Sequence, residues 1–153
     1  MSVSEAELRR AVSVLDAYRA QFDALQKQQE ILALSLEEMM RARETMARYK
    51  QAGKGAEILV PVGGNAFLFG QIADADRAVI GIGSDVLVEE PIPAALERID
   101  GRIKQVQEAV GGLGQRIADL DARVQAQSEF VQGVYEKLSG EPEEPAPAKK
   151  PSD

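Results

Sequence analysis

The sequence predicts an α+β fold, in which two long helices form an antiparallel coiled coil and two β-hairpins lie between them. Three observations support this prediction: a heptad pattern in each half of the chain, and a glycine-punctuated block of β-rich sequence between the two patterns. The composition agrees, because aromatic residues make up only 5% of the chain and Trp is absent. Helices that pack through Leu, Ile, Val and Ala need few aromatic rings. An elongated helical body is therefore expected rather than a compact globule.

The first heptad pattern predicts a helix over residues 4–52. Steps of three and four residues alternate without interruption over more than five heptads, which is typical of a coiled coil. Two capping-box pairs, Ser2 with Glu5 and Ser4 with Glu7, could start this helix, and the glycines after residue 52 are expected to end it. The seam positions, of which all but two are apolar, are Leu8, Ala11, Leu15, Tyr18, Phe22, Leu25, Gln29, Leu32, Leu36, Met39, Arg43 and Met46.

The second heptad pattern predicts a helix over residues 92–139. Pro93 suits the first turn of a helix, where its missing N–H would have had no partner, and Gly140 suits the stop. If the two helices fold back on each other with matched lengths, Gln127 falls opposite Tyr18, and the two side chains could share a hydrogen bond. The seam positions, of which all but one are apolar, are Ile92, Leu96, Ile99, Ile103, Val106, Val110, Leu113, Ile117, Leu120, Val124, Gln127, Val131, Val134 and Leu138.

Three glycines, Gly111, Gly112 and Gly114, lie inside the second predicted helix. Each one costs about 1 kcal/mol relative to Ala in a helix interior. Two interpretations are open. The glycines are either small residues tolerated on the outer face of a helix that its seam holds in place, or they form a bend halfway along it.

The block over residues 57–90 predicts two β-hairpins in series. Its turn signals are Gly-Gly-Asn at 63–65 and Gly-Ser-Asp at 83–85, and each is flanked by two β-rich runs. Most of these strands are apolar on both faces, so an isolated sheet would expose a large apolar surface. We therefore expect the hairpins to form an intersubunit β-barrel or sandwich. The candidate interface residues are Ile58, Val60, Val62, Phe67, Phe69, Ile72, Val79, Ile80, Ile82, Val86 and Val88.

The chain offers little catalytic or metal-binding chemistry. Because Cys and His are both absent, thiolate and imidazole metal ligands and the Ser-His and Cys-His nucleophile designs are excluded. Gly81 and Gly83 have the spacing of the start of a dinucleotide loop, but the third glycine and the following helix are missing. Asp74 and Asp76 lie beside a turn, where solvated acids are ordinary. No cofactor, metal site or catalytic residue is predicted.

The charge and hydropathy pattern predicts a soluble cytoplasmic protein. A net charge of −7 argues against nucleic acid as a partner, since duplex binding needs a basic surface. No apolar run is long enough to cross a membrane, and the start of the chain does not have the pattern of a signal peptide. The acidic, Pro-rich tail over residues 140–153 is predicted to be disordered.

The order of coil, two hairpins and coil is uncommon, and four specific sequence motifs accompany it. Residues 57–63 are EILVPVG, followed by GQI at 70–72, VIGIG at 79–83 and VLVEE at 86–90. Together with the paired helices, these motifs resemble the α class of the prefoldin family in its archaeal form, over residues 5–139. The β class of that family carries one hairpin, whereas this chain has two.

The resemblance implies a hetero-hexamer of two α-class and four β-class subunits. In that family the hairpins form β-barrels at a central platform, and coiled-coil arms project from it. The family binds unfolded proteins between the arm tips without ATP and delivers them to a group II chaperonin. The chain is accordingly expected to be a holdase subunit and not an enzyme.

Apolar residues near the free ends of the two helices are the candidates for client binding. Antiparallel packing would bring the start of the first helix and the end of the second together at a tip, where exposed apolar side chains would attract varied non-native chains through the non-directional hydrophobic effect. Leu8, Val134 and Leu138 belong to the seams and would join only if the last turns fray. The candidates are Val3, Leu8, Val12, Val14, Phe130, Val134, Tyr135 and Leu138.

Other interpretations stay open beside this one. A coiled-coil scaffold that organises a partner complex would not suppress the aggregation of unfolded proteins. The helical arm of an enzyme, such as a synthetase, would need a catalytic domain, for which no sequence remains. Val12, Val14 and Phe130 could also widen the seam as flanking contacts between the helices instead of binding clients.

Overall fold

The computed structural model describes residues 3–140, and the predicted fold class, two long helices with two antiparallel β-hairpins between them, is confirmed. The predicted tail lies outside the described residues from residue 141 onward, and so does Ser2. The elements in chain order are helix α1 (Glu5–Ala52), strands β1 (Glu57–Gly63), β2 (Ala66–Gln71), β3 (Arg77–Gly83) and β4 (Val86–Pro91), and helix α2 (Ile92–Ser139). Strands β1 and β2 form hairpin 1, and strands β3 and β4 form hairpin 2.

The contacts of the chain divide into two compact units. The first, called the terminal unit, combines the residues up to Lys27 with those from Gly114 onward, and therefore contains the start of α1 and the end of α2. The second, called the hairpin unit, is Gln28–Leu113 and contains both hairpins with the adjoining parts of the two helices.

The start of α1 is fixed by the second of the two predicted capping boxes. The backbone N–H of Ser4 donates to Glu7 Oε2 at 2.8 Å, and the backbone N–H of Glu7 donates to Ser4 Oγ at 3.3 Å. At the other end of the helix, Gly53 has a φ of +80°, and its N–H donates to the carbonyl of Tyr49 at 3.3 Å. Glycine ends the helix there because it adopts a left-handed conformation without a Cβ clash.

The predicted seam positions are the shielded positions of both helices. Every seam residue of α2 is buried or half-buried, and so is every seam residue of α1 except Arg43. Arg43 forms a salt bridge with Asp100 of α2 in the hairpin unit. The hydrogen bond to that carboxylate raises the pKa of Arg43. The charged seam position therefore contributes a polar contact between the helices.

The predicted partner of Gln127 is wrong. Gln127 is half-buried on the seam of α2 as expected, but its Nε2 donates to the backbone carbonyl of Ala11 at 2.9 Å. Ala11 precedes the predicted partner Tyr18 by one heptad, or about 10 Å along a helix. A heptad pattern specifies which face of a helix is shielded, but not whether a polar side chain on that face bonds to a side chain or to the backbone of the other helix.

Two of the three helix glycines face outward. α2 continues without a break through Gly111, Gly112 and Gly114, and a Cβ placed at Gly111 or Gly112 would meet nothing within 4 Å. Both are exposed, which supports the outer-face interpretation for these two positions, whereas Gly114 is half-buried.

Replacing Gly111 and Gly112 by Ala should stabilise the protein. Each substitution is expected to raise the free energy of unfolding by about 1 kcal/mol, because Ala restricts the unfolded chain and fits the helix. Denaturant titration measures the change. Gly63→Ala is the matched control and should destabilise, since Gly63 has a φ of +95°, which L-residues avoid. A Gly111→Ala variant that unfolds more easily would instead indicate that α2 needs to bend there.

Hairpin 2 packs one of its faces against the two helices. Ile80 of β3 is buried with Ala95, Ile99 and Ile103 of α2. The half-buried residues that surround this core come from α1 and from hairpin 2; they are Leu36, Met39, Met46, Ala78 and Val88. The hairpin is thus part of the core of the hairpin unit.

Two arginines of α2 hold both strands of hairpin 2. Arg98 forms a salt bridge with Glu90 of β4, and Arg102 donates from its guanidinium to the carbonyl of Gly81 in β3. The hydrogen bond from Arg98 lowers the pKa of Glu90. Since Arg98 and Arg102 are one turn apart on α2, they fix the hairpin from the same face of the helix.

The segment between the hairpins is held by hydrogen bonds to its backbone groups. The carbonyl of Asp74 accepts from Tyr49 Oη, and the carbonyl of Asp76 accepts from the N–H of Ile92, both at 2.8 Å. The carboxylate of Asp74 accepts from the N–H of Asp76 at 2.9 Å. Asp74 therefore stabilises a turn, as ordinary acids beside a turn do.

Candidate functional site

An open apolar groove runs between the two helices in the terminal unit and is the first candidate site. Its residues recur on one face of each helix at spacings of three or four, so they line one side of the helix pair. Ala11 and Val134 are buried and form the floor, whereas Val14 and Phe130 are exposed on its walls. The residues that line this tip groove are Val3, Glu7, Arg10, Ala11, Val14, Gln127, Phe130, Val134 and Lys137.

The structure separates the predicted client-binding residues into two groups. Val3, Val14, Phe130 and Val134 line the tip groove, although Val134 is only 6% exposed and contributes floor rather than contact surface. The other predicted residues do not line the groove; they are Leu8, Val12, Tyr135 and Leu138. The predicted client-binding residues therefore lie both inside the groove and outside it.

Phe130 and Tyr135 are matched in exposure but not in position. Phe130 is 58% exposed and Tyr135 is 60% exposed. Five residues apart, they point about 140° away from each other around α2. Val12 and Val14 are similarly about 160° apart around α1. Phe130 and Val14 therefore line the tip groove, whereas Tyr135 and Val12 lie on other faces of the two helices.

Charged groups flank the apolar floor of the tip groove. Glu7, Arg10 and Lys137 line it, and the carboxylate of Glu7 is engaged with the N–H of Ser4 in the capping box. Among the described residues, neither Arg10 nor Lys137 forms a salt bridge, whereas the neighbouring Arg9 pairs with a glutamate one turn away.

Hairpin 1 is the second candidate site, because it exposes apolar side chains on both of its faces. Leu59 pairs with Phe69 on one face, and Val60 pairs with Leu68 on the other. All four are exposed, and Phe69 is 88% exposed. A two-stranded hairpin is at best marginally stable by itself in water. Hairpin 1 therefore exposes two apolar faces, and within residues 3–140 its two outer strand edges pair with no further strand.

Hairpin 2 has one free apolar face. Ile80 and Val88 pair with each other on the face that packs against the helices, while Val79 and Leu87 lie exposed on the other face. A salt bridge of 2.9 Å between Arg77 and Glu89 borders this free face. The surface available to a partner is therefore smaller than on hairpin 1.

The predicted interface residues fall into two classes. Ile72 and Ile80 are buried within the chain itself, and Val88 packs against its core, so these three serve the chain's own fold. The exposed members are Val60, Val62, Phe67, Phe69, Val79, Ile82 and Val86, and Ile58 is half-buried.

Three exposed apolar residues of the strands were missed in the prediction, namely Leu59, Leu68 and Leu87. The signal that could have found them is the run of consecutive apolar residues in each strand. Strands with one solvated face alternate between apolar and polar residues, and these strands do not.

The two hairpins share one turn geometry. Both residues of each turn have positive φ, Gly64 and Asn65 in hairpin 1 and Ser84 and Asp85 in hairpin 2, and so does the glycine that precedes each turn, where the strand pairing shifts register. This is the twist-compatible geometry of two-residue hairpin loops. The hairpins are therefore two copies of one structural module with different neighbours.

Within residues 3–140 the structure contains no helix long and apolar enough to cross a membrane. Over the same residues, no three acidic side chains come together as a possible metal site.

Relatives of this chain are prefoldin subunits. The family model described as Prefoldin subunit matches residues 18–137. Prefoldin subunit alpha of Pyrococcus horikoshii is 31% identical over 140 residues, which cover 91% of this chain and 95% of that relative. A putative prefoldin subunit alpha of Aquifex aeolicus is 28% identical over 120 residues, covering 78% of this chain and 80% of that relative.

A solved structure supports the same assignment. A chain of filamentous PFD from Methanocaldococcus jannaschii, determined by cryo-EM, superposes with a TM-score of 0.65 at 27% identity. The match covers 74% of this chain and 94% of that chain. The resemblance to the prefoldin family, which was inferred from the sequence motifs of the hairpins, is therefore confirmed.

Proposed function

The chain belongs to the prefoldin family of chaperones, and from this premise we propose that it is the α-class subunit of an ATP-independent holdase. Two copies assemble with four β-class subunits through the hairpins, in intersubunit β-barrels. The assembly holds unfolded proteins at the helix ends of the terminal unit and delivers them to a group II chaperonin in the cytoplasm.

The tip groove is the observation that carries the proposal. It is open along its length and offers Val14 and Phe130 to solvent beside a buried apolar floor. Apolar attraction is proportional to the area removed from water and has no directional requirement. An open groove of this kind suits short apolar segments of many different unfolded chains.

The hairpin surfaces support the assembly half of the proposal. Exposed apolar side chains on both faces of hairpin 1, together with Val79 and Leu87 on hairpin 2, form a surface that subunits of soluble proteins ordinarily cover with a partner. Strands from other subunits would also satisfy the unpaired edges. The doubled hairpin gives the chain two such contacts, as expected of a subunit that joins several others.

The test is to co-produce the full chain with a β-class partner, measure the mass of the product, and assay it without ATP. We expect a hexamer that suppresses the aggregation of citrate synthase diluted from guanidinium chloride. A coiled-coil scaffold would also assemble but would leave the aggregation unchanged. A stable monomer that holds nothing would contradict both parts of the proposal.

A further inference from the structure

Two cationic side chains, Arg10 and Lys137, line the tip groove beside its apolar residues. Elsewhere on α1, Arg9, Arg41 and Arg48 each form a salt bridge with a glutamate four residues earlier. Arg10 and Lys137 form none among the described residues, and both line the groove beside its apolar floor. The groove therefore combines an apolar strip with two cationic side chains that form no salt bridge among the described residues.

The acidic residue of the groove is already engaged. Glu7 accepts the N–H of Ser4 at 2.8 Å, and it lies in the first turn of α1, where the positive end of the helix dipole offsets a negative charge. Lys137 lies in the last turn of α2 and offsets the opposite partial charge of that helix end. Arg10 is on neither terminal turn, so its charge adds directly to the field over the groove.

The size of the groove suits a short extended segment. On α1 it runs from Val3 to Val14, which is about 16 Å along a helix. An extended chain rises about 3.3 Å per residue, so about five residues fit. Phe130 and Val14 would contact an apolar side chain near one end of such a segment, and Arg10 would meet its neighbour.

We propose that the tip groove selects unfolded segments in which a large apolar residue stands next to acidic residues, and that Arg10 and Lys137 determine this preference. The proposal rests on the proposed function, since it concerns the same client site. The chain as a whole carries a charge of −7, so the preference is local: exposed charges act over about one Debye length, roughly 8–10 Å.

Short fluorescent peptides with the common core Leu-Phe-Leu test the proposal, with either Glu or Lys on both sides of the core. Fluorescence anisotropy measures the affinity of each peptide for the assembled protein. At about 0.05 M salt we expect the Glu-flanked peptide to bind about tenfold more tightly, because each exposed ion pair adds only modestly to the affinity. Raising the salt to about 1 M should reduce the ratio to near one.

The double variant Arg10→Gln with Lys137→Gln should abolish the preference. Its control is Arg19→Gln with Lys27→Gln, which removes the same charge from exposed positions of α1 that do not line the groove. The control should keep the wild-type ratio. Equal affinity for the two peptides in the wild type would overturn the proposal, and so would a preference that survives in the double variant.

The aggregation assay separates this proposal from the proposed function. If the wild-type assembly suppresses aggregation but shows no flank preference, only the acidic selectivity is wrong. If it suppresses no aggregation and binds neither peptide, the client-holding function itself fails, and the selectivity fails with it.

Discussion

Replacing Phe69 by Asp should prevent assembly while leaving the isolated chain folded. Phe69 is 88% exposed in the chain alone, so the substitution removes almost no contact from its own fold. In an assembly that covers hairpin 1, the same position would bury an unpaired carboxylate, which costs several kcal/mol. Each 1.4 kcal/mol is a factor of ten in affinity, so we expect a loss of at least a hundredfold, measured as subunit dissociation by mass photometry.

Three further variants isolate the cause of that loss. Phe69→Leu keeps an apolar side chain and should assemble nearly normally. Tyr135→Asp introduces the same charge at an exposed ring of the terminal unit and should not affect assembly. Ile80→Asp changes a residue that is 6% exposed in the chain's own core, so it should lower the melting temperature of the isolated chain. Unimpaired assembly of Phe69→Asp would show that this face of hairpin 1 is not an interface.

Replacing Phe130 by Ser should weaken client holding about tenfold. More than half of the Phe130 side chain is exposed on the wall of the tip groove, so a client can still bury much of it. Full burial of a Phe side chain contributes about 1.5–3 kcal/mol, and the part left for the client is about half of that. The measurement is the concentration of assembly that halves the aggregation of an unfolded reporter protein.

Tyr135→Ser is the matched variant for this prediction. It removes a ring of nearly equal exposure from the same helix, but from outside the groove, and a smaller loss is expected. Equal losses in the two variants would show that clients bind both sides of the tip. If Phe130→Ser lowers the melting temperature but leaves holding unchanged, Phe130 is instead a flanking contact between the helices.

The seams, helix ends and turns of this protein could be predicted from the sequence because they depend on neighbouring residues. The shielded face of α2 follows from a heptad spacing that any helix of 3.6 residues per turn converts into one stripe. Ser4 and Glu7 cap α1 through groups only three residues apart. Gly64 and Asn65 tolerate positive φ, which the hairpin turn requires.

The tertiary structure decided what depends on residues far apart in the chain. Gln127 donates to the backbone carbonyl of Ala11, an acceptor on the other helix that the heptad pattern does not identify. Val60 and Ile80 belong to strands of similar composition, yet Val60 is exposed and Ile80 is buried, since Ile80 packs in a core that hairpin 2 forms with the helices. The sequences of the strands alone therefore do not identify which strand residues stay exposed for a partner.

The tip illustrates both contributions. The sequence by itself determined that large apolar residues lie off the seam near the end of α2, because the heptad register identifies every position that does not face the partner helix. It did not determine that Phe130 joins Val14, Arg10 and Lys137 in one groove while Tyr135 stays outside. That grouping depends on which turns of α1 and α2 stand side by side, and only long-range packing fixes it.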